Sequence, residues 1–170
     1  MYSLNVPVPS GVARLASDLA RELPGARARP RGEHTLVCKR LDPGSGPDAV
    51  HRLDARLREA LAGAPPFAAR VSGIEQFREA VTGPSPVVYL AVESPGLLEL
   101  HDRLVDEFGA IEGLEGEDYT PHVTLARDGD MASAERAAAY DVEPVSWTVT
   151  ELEFFDSKYR EVAGRVSLPA

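Results

Sequence analysis

Three observations predict an α+β or mixed α/β fold for this chain of 170 residues. Short β-branched runs alternate with stretches of helical apolar spacing. The two patterns follow one another in mixed order, and no Pro/Ser linker, strong repeat or low-complexity segment divides them. The length suits one domain over residues 1–170, built of two lobes that share a core. Apolar residues make up 44% of the chain, enough for an ordinary globular interior.

Tyr2 to Val8 alternates and is expected to be a strand. Ser10 is placed as the N-cap of a helix from Val12 to Glu22, with Val12, Leu15, Leu19 and Leu23 near helical spacing and Leu23-Pro24-Gly25 ending it. Ala26 to Gly32 is assigned to a basic loop and His34 to Arg40 to a strand. Asp42 to Asp48, rich in Gly and Pro, is a turn or loop. Val50, Leu53, Leu57 and Leu61 mark a second helix that ends at Gly63. Phe67 to Ile74 and Val87 to Val92 are strands, the latter buried. Ser94-Pro95 opens a third helix, with Leu97, Leu100, Leu104 and Phe108 along one face. After an acidic loop, Gly113 to Asp118, come a strand from His122 to Arg127 and an Ala-rich helix from Met131 to Tyr140. Two strands, Trp147 to Phe154 and Glu161 to Leu168, close the chain. The sum is about seven strands and four helices.

Charge narrows the function. The formal net charge is −9, with 27 acidic residues against 18 basic, and only Lys39 and Lys158 among the latter are lysines. An acidic chain binds long phosphate backbones poorly, which argues against a nucleic-acid coat but leaves room for an enzyme with one local phosphate pocket. A solvated acidic surface suits a protein working in high salt, where long-range repulsion is screened. The opening residues lack the charged start and apolar stretch of a secretion signal. No run approaches the ~20 apolar residues of a membrane helix. A cytoplasmic monomer with no membrane partner is expected. The lone Cys38 has no internal disulfide partner.

Two of the four histidines open apolar runs: His34 in Glu33-His34-Thr35-Leu36-Val37-Cys38-Lys39, and His122 in Tyr119-Thr120-Pro121-His122-Val123-Thr124-Leu125-Ala126-Arg127. Histidine is the side chain best placed to exchange a proton near neutral pH. Two of them meeting at one cleft supply an acid and a base for phosphate-ester chemistry without a metal. Strand alternation puts Thr124 on the His122 face, where its hydroxyl donates to a phosphate oxygen, and turns Val123 and Leu125 to a core. His51 and His101 fall on charged helices and read as solvated. His34, Cys38 and His122 lack the clustered spacing of a zinc site, so no metal is expected. No GK[ST] phosphate loop appears, and no nucleotide-driven ligation or cofactor is expected either.

The run Pro121 to Arg127 resembles the second signature of the two-histidine phosphoesterase superfamily, which includes 2'-5' RNA ligases and RNA 2',3'-cyclic phosphodiesterases. With the closing hairpin, Leu152 to Leu168, the resemblance spans nearly the whole chain. It implies a bilobal α+β fold of antiparallel sheets with helices on the outer faces and lobes related by a pseudo-two-fold. It further implies general acid/base catalysis by His34 and His122, with RNA ends or cyclic nucleotides as substrate. Thr124 matches the phosphate-holding position of the second motif. In the first motif that position is Leu36. Thr35 then points away from the cleft unless a bulge turns it inward, while Cys38 shares the His34 face and lines the pocket. Arg127 pairs with phosphate, although alternation takes it off the His122 face, and Tyr119 stacks on a base or ribose or packs in the core. Arg27, Arg29 and Arg31 guide an RNA end, with Tyr159 and Arg160 as further candidates. The alternative is a weakly active or non-catalytic binder of RNA ends with a degenerate first motif.

Overall fold

Every pairing between strands in the computed structural model, which describes residues 1–30 and 32–170, is antiparallel. Strands β1 (Tyr2–Val6), β3 (Leu36–Leu41), β8 (Glu151–Asp156) and β9 (Glu161–Ser167) form one sheet in the order β3-β1-β8-β9. The second sheet, in the order β2-β6-β5-β4-β7, holds β2 (Arg27–Ala28), β4 (Phe67–Phe77), β5 (Val87–Glu93), β6 (His122–Arg127) and β7 (Val145–Val149). The expected α+β fold of antiparallel sheets is therefore present. It has nine strands among the described residues rather than about seven. One of the added strands is β2, inside the basic segment assigned to a loop. The other comes from the run Trp147 to Phe154, which crosses between sheets. The apolar positions change phase where it crosses, from Trp147 and Val149 in β7 to Leu152 and Phe154 in β8, with Thr150 between the two strands.

Among the described residues, four α-helices, α1 (Ser10–Ala20), α2 (Ala49–Leu61), α3 (Pro95–Phe108) and α4 (Met131–Ala138), occupy the expected segments. Their apolar spacing explains what they cover. α1 follows β1 of the first sheet yet packs on β6 of the second. α3 follows β5 of the second sheet and packs on β3 of the first as well as on β4. Buried Leu4, Leu36 and Leu152 thereby join Val71, Leu90 and Leu125 in one core. Ser94 caps α3 as expected, accepting from the Leu97 N–H at 3.2 Å and donating to the Ala68 carbonyl at 2.6 Å. Ser10 does not cap α1. It already lies inside the helix, and the Pro9 carbonyl takes the first helical hydrogen bond, from Ala13 N–H at 2.9 Å.

Strand β3 begins at Leu36, so His34 and Thr35 precede it. It is an edge strand, with groups that need partners from outside the sheet. Side chains supply them. The Tyr119 hydroxyl donates to the Val37 carbonyl at 2.8 Å, His101 Nδ1–H to the Cys38 carbonyl at 2.7 Å, and Lys39 Nζ to the Arg40 carbonyl at 2.7 Å. Glu115 accepts from the Arg40 N–H at 2.8 Å. His101, expected in solvent, is 1% exposed. It stacks on Tyr119 with ring centres 3.7 Å apart and accepts from the Gly116 N–H at 2.9 Å. Helical periodicity places His101 beside Leu97, Leu100 and Leu104, but the charges around it hid this.

Candidate functional site

His122 opens β6 at the mouth of a cleft. Its Nδ1–H donates to the Thr120 carbonyl at 2.6 Å, which leaves Nε2 as the acceptor nitrogen of the neutral ring. Phe77 meets the ring edge-on at 5.3 Å between centres, and Tyr89 packs on it at 5.2 Å. Burial pushes this imidazole below the ordinary histidine range. The Thr120 carbonyl works the other way, and the positive charges of Arg40 and Arg127 add to the depression.

Two cavities meet here. One, of about 100 Å³, is walled by His122, Arg127, Arg40, Phe77, Tyr119 and Thr120 among others. Its neighbour, of about 770 Å³, is walled by Arg29, Glu33, Thr35, Arg160, Tyr2 and Asn5 among others. Val37 and Arg40 belong to both walls, so the cavities adjoin along β3.

Two β-bulges decide which residues reach the cleft. In β3 the partner of Leu4 is Lys39 and that of Asn5 is Val37, so Cys38 is the extra residue. In β6 the partner of Val88 is Ala126 and that of Tyr89 is Thr124, which leaves Leu125 as the extra one. Each bulge resets the alternation beyond it. Arg40 joins Val37 on the cleft side, and Arg127 joins His122, contrary to its expected place off the His122 face.

The first motif differs more. Glu33, Thr35 and Val37 are half-buried and line the cleft, whereas His34, Leu36 and Cys38 are buried. Thr35 thus faces the larger cavity, opposite to its expected direction. His34 lines neither cavity, and neither ring nitrogen has a hydrogen-bond partner among the described residues. Burial, then the charge of Arg29, pushes its imidazole below the ordinary range. Cys38, expected on the pocket wall, is completely buried in the core, and burial pushes its thiol far up. The face shared by His34, Leu36 and Cys38 is the core face, as its apolar members imply.

Of the remaining candidates, Thr124 is 8% exposed, pairs with Tyr89 across the sheet and lies in neither cavity wall. Tyr119 lines the smaller cavity while bracing β3 and His101. Arg27 pairs with Asp128 at 3.8 Å, Tyr159 is exposed, and Arg31 lies outside the described residues. No sequence pattern marks Arg40, because only the bulge turns it inward.

Arg29, Arg40 and Arg127 share one property. Among the described residues, no carboxylate forms an ion pair with any of them. Arg127 donates instead to the Thr82 carbonyl at 2.8 Å. Burial, then repulsion from Arg29 and Arg40, lowers its guanidinium from the ordinary value. In a chain of net charge −9, Arg40 and Arg127 in the wall with His122, and Arg29 in the adjoining wall, are cations of the kind that can hold an oxyanion. No cluster of three or more His, Cys, Asp or Glu side chains suited to a metal exists among the described residues, and no helix there is long and apolar enough to cross a membrane.

The family model described as the 2'-5' RNA ligase superfamily matches residues 41–159. That span contains the His122 motif and begins just after the segment of His34. Among solved structures, TT0787 of Thermus thermophilus is similar, with a TM-score of 0.67 and 22% identity, over 98% of this chain and 97% of that one. E. coli LigT complexed with 3'-AMP is similar at TM-score 0.64 and 19% identity, over 99% and 98%. The LigT structure with ATP gives 0.66 and 18% over the same shares. These likenesses show a common fold. Compared as sequence alone, the chain matches no curated protein.

Proposed function

We propose, for a chain that belongs to the 2'-5' RNA ligase superfamily, that it is a metal-independent phosphoesterase acting on RNA 2',3'-cyclic phosphate or 2'-5' phosphodiester ends, with His122 moving the proton. The observation that carries this is a set of cleft arginines without carboxylate partners among the described residues: Arg40 and Arg127 in the wall with His122, and Arg29 in the adjoining wall. Guanidinium groups offset the charge that builds on the non-bridging phosphate oxygens, and an imidazole at hydrogen-bond distance exchanges a proton with a bridging or attacking oxygen. The Thr35 hydroxyl, on the wall beside Arg40, is a donor to the same phosphate. The nucleotides in the two LigT structures support a ligand of this class. The acidic remainder of the surface favours a terminal phosphate or a small cyclic nucleotide over a length of backbone.

A second reading, a binder of RNA ends without turnover, is favoured by one observation: His34, the expected partner of His122, is buried outside both cavities. Incubation with nucleoside 2',3'-cyclic phosphates and 2'-5' dinucleotides in excess chelator separates the two. Phosphoesterase action yields ribose phosphomonoesters. Saturable binding with no product assigns the chain to the binders.

A further inference from the structure

We infer that Glu33 is the second proton-transfer group of this cleft, standing on the side of the phosphate opposite His122; the inference rests on the phosphoesterase reading above. Glu33, Thr35 and Val37 occupy alternate positions and all line the larger cavity, so the cleft-facing residue two before a threonine is Glu33 and not His34. Val37 and Arg40 form the boundary shared with the smaller cavity, into which His122 opens. A phosphate held by Thr35 and Arg40 at that boundary has a carboxylate on one flank and an imidazole on the other. In-line displacement at phosphorus needs proton-transfer groups so divided. The sealed His34 ring, with no partner on either nitrogen among the described residues, leaves that role open.

Arg160 is part of the arrangement. It projects from the β8–β9 turn, adopts a left-handed backbone with φ 57°, and forms an ion pair with Glu33. An arriving phosphate gives the guanidinium a competing anion and releases the carboxylate. Glu33 then takes a proton from water, whose oxygen bonds to phosphorus. The bond from phosphorus to one ribose oxygen breaks, and protonated His122 donates its proton to that leaving oxygen. The reaction consumes one water and needs no oxidant or reductant. Solvent exchange afterwards returns Glu33 to the carboxylate, and the next phosphate to bind offsets the charges of Arg40 and Arg127 and so favours the imidazolium of His122.

The test is steady-state hydrolysis of adenosine 2',3'-cyclic phosphate by the intact chain across pH. Glu33→Gln keeps the shape and is expected to lower kcat by about 100-fold or more, with KM within about threefold, and to remove the acidic limb of the kcat profile. Glu33→Asp is expected to keep that limb. Glu33→Gln within about threefold of the unmutated rate, in a protein that His122→Ala inactivates, overturns the role of Glu33 and leaves the phosphoesterase reading standing. An unmutated protein with no turnover overturns both.

Discussion

Replacing His122 with alanine is expected to lower hydrolysis of a nucleoside 2',3'-cyclic phosphate by about 100- to 10,000-fold, the usual worth of a positioned proton-transfer group. The effect falls on kcat. Arg29, Arg40, Arg127 and Thr35 remain to hold the phosphate, so KM changes little. Among the described residues, His122 is the only histidine in the walls of the two adjoining cavities, and its tautomer is set by the Thr120 carbonyl. No neighbouring imidazole can stand in for it. Steady-state kinetics on folded H122A protein decides the matter, and a variant within about threefold of the unmutated kcat contradicts a proton-transfer role.

Glu115→Ala is expected to lower the free energy of unfolding by about 3–5 kcal/mol, as breaking a buried ion pair generally does. Glu115 and Lys39 are 3% and 2% exposed and 2.6 Å apart, and the same carboxylate accepts from the N–H groups of Arg40, at 2.8 Å, and Ile111, at 3.0 Å. Removing it strands the Lys39 cation and two backbone donors in the interior. Glu115→Leu combined with Lys39→Met removes both charges and is expected to recover much of the loss. Burial alone would raise the Glu115 carboxyl; its hydrogen bonds from Lys39, Arg40 and Ile111 and the lysine charge outweigh this and hold it below the ordinary glutamate range. The folded value is therefore depressed. The contribution is complete above the ordinary glutamate range and is lost as pH falls through the depressed value. Denaturant unfolding of the single and double variants at neutral pH measures it, and a single variant as stable as the unmutated chain contradicts it. The pair also bears on the site, because Glu115 ties the segment leading to Tyr119 and His122 against the bulge that aims Arg40.

The parts of this site legible in the sequence are those that local periodicity controls. The motif around His122, the apolar stripes of α1 to α3 and the Ser94 cap follow from spacing and residue chemistry. Single extra residues in a strand do not. Cys38 and Leu125 look like ordinary members of β3 and β6, yet each shifts the facing of the residues after it, and Arg40 and Arg127 enter the cleft for that reason. The phase of the first motif was legible in part. Leu36 and Cys38 share the His34 face, and two apolar residues in a row on one face mark the interior. The partnership of Lys39 with Glu115 and the burial of His101 depend on contacts between residues distant in the chain, which no local pattern records.

The anion site itself is tested most directly by NMR titration of the His122 imidazole, alone and with adenosine 3'-phosphate, in the unmutated protein and in Arg40→Gln. In the free protein, burial and the charges of Arg40 and Arg127 hold His122 below the ordinary histidine range. Bound phosphate offsets those charges, so the midpoint is expected to rise on binding. It is also expected to rise in Arg40→Gln without ligand, and that variant is expected to bind the nucleotide more weakly. A His122 midpoint unmoved by saturating nucleotide, with binding indifferent to Arg40, would contradict a phosphate seated between the imidazole and the cleft arginines.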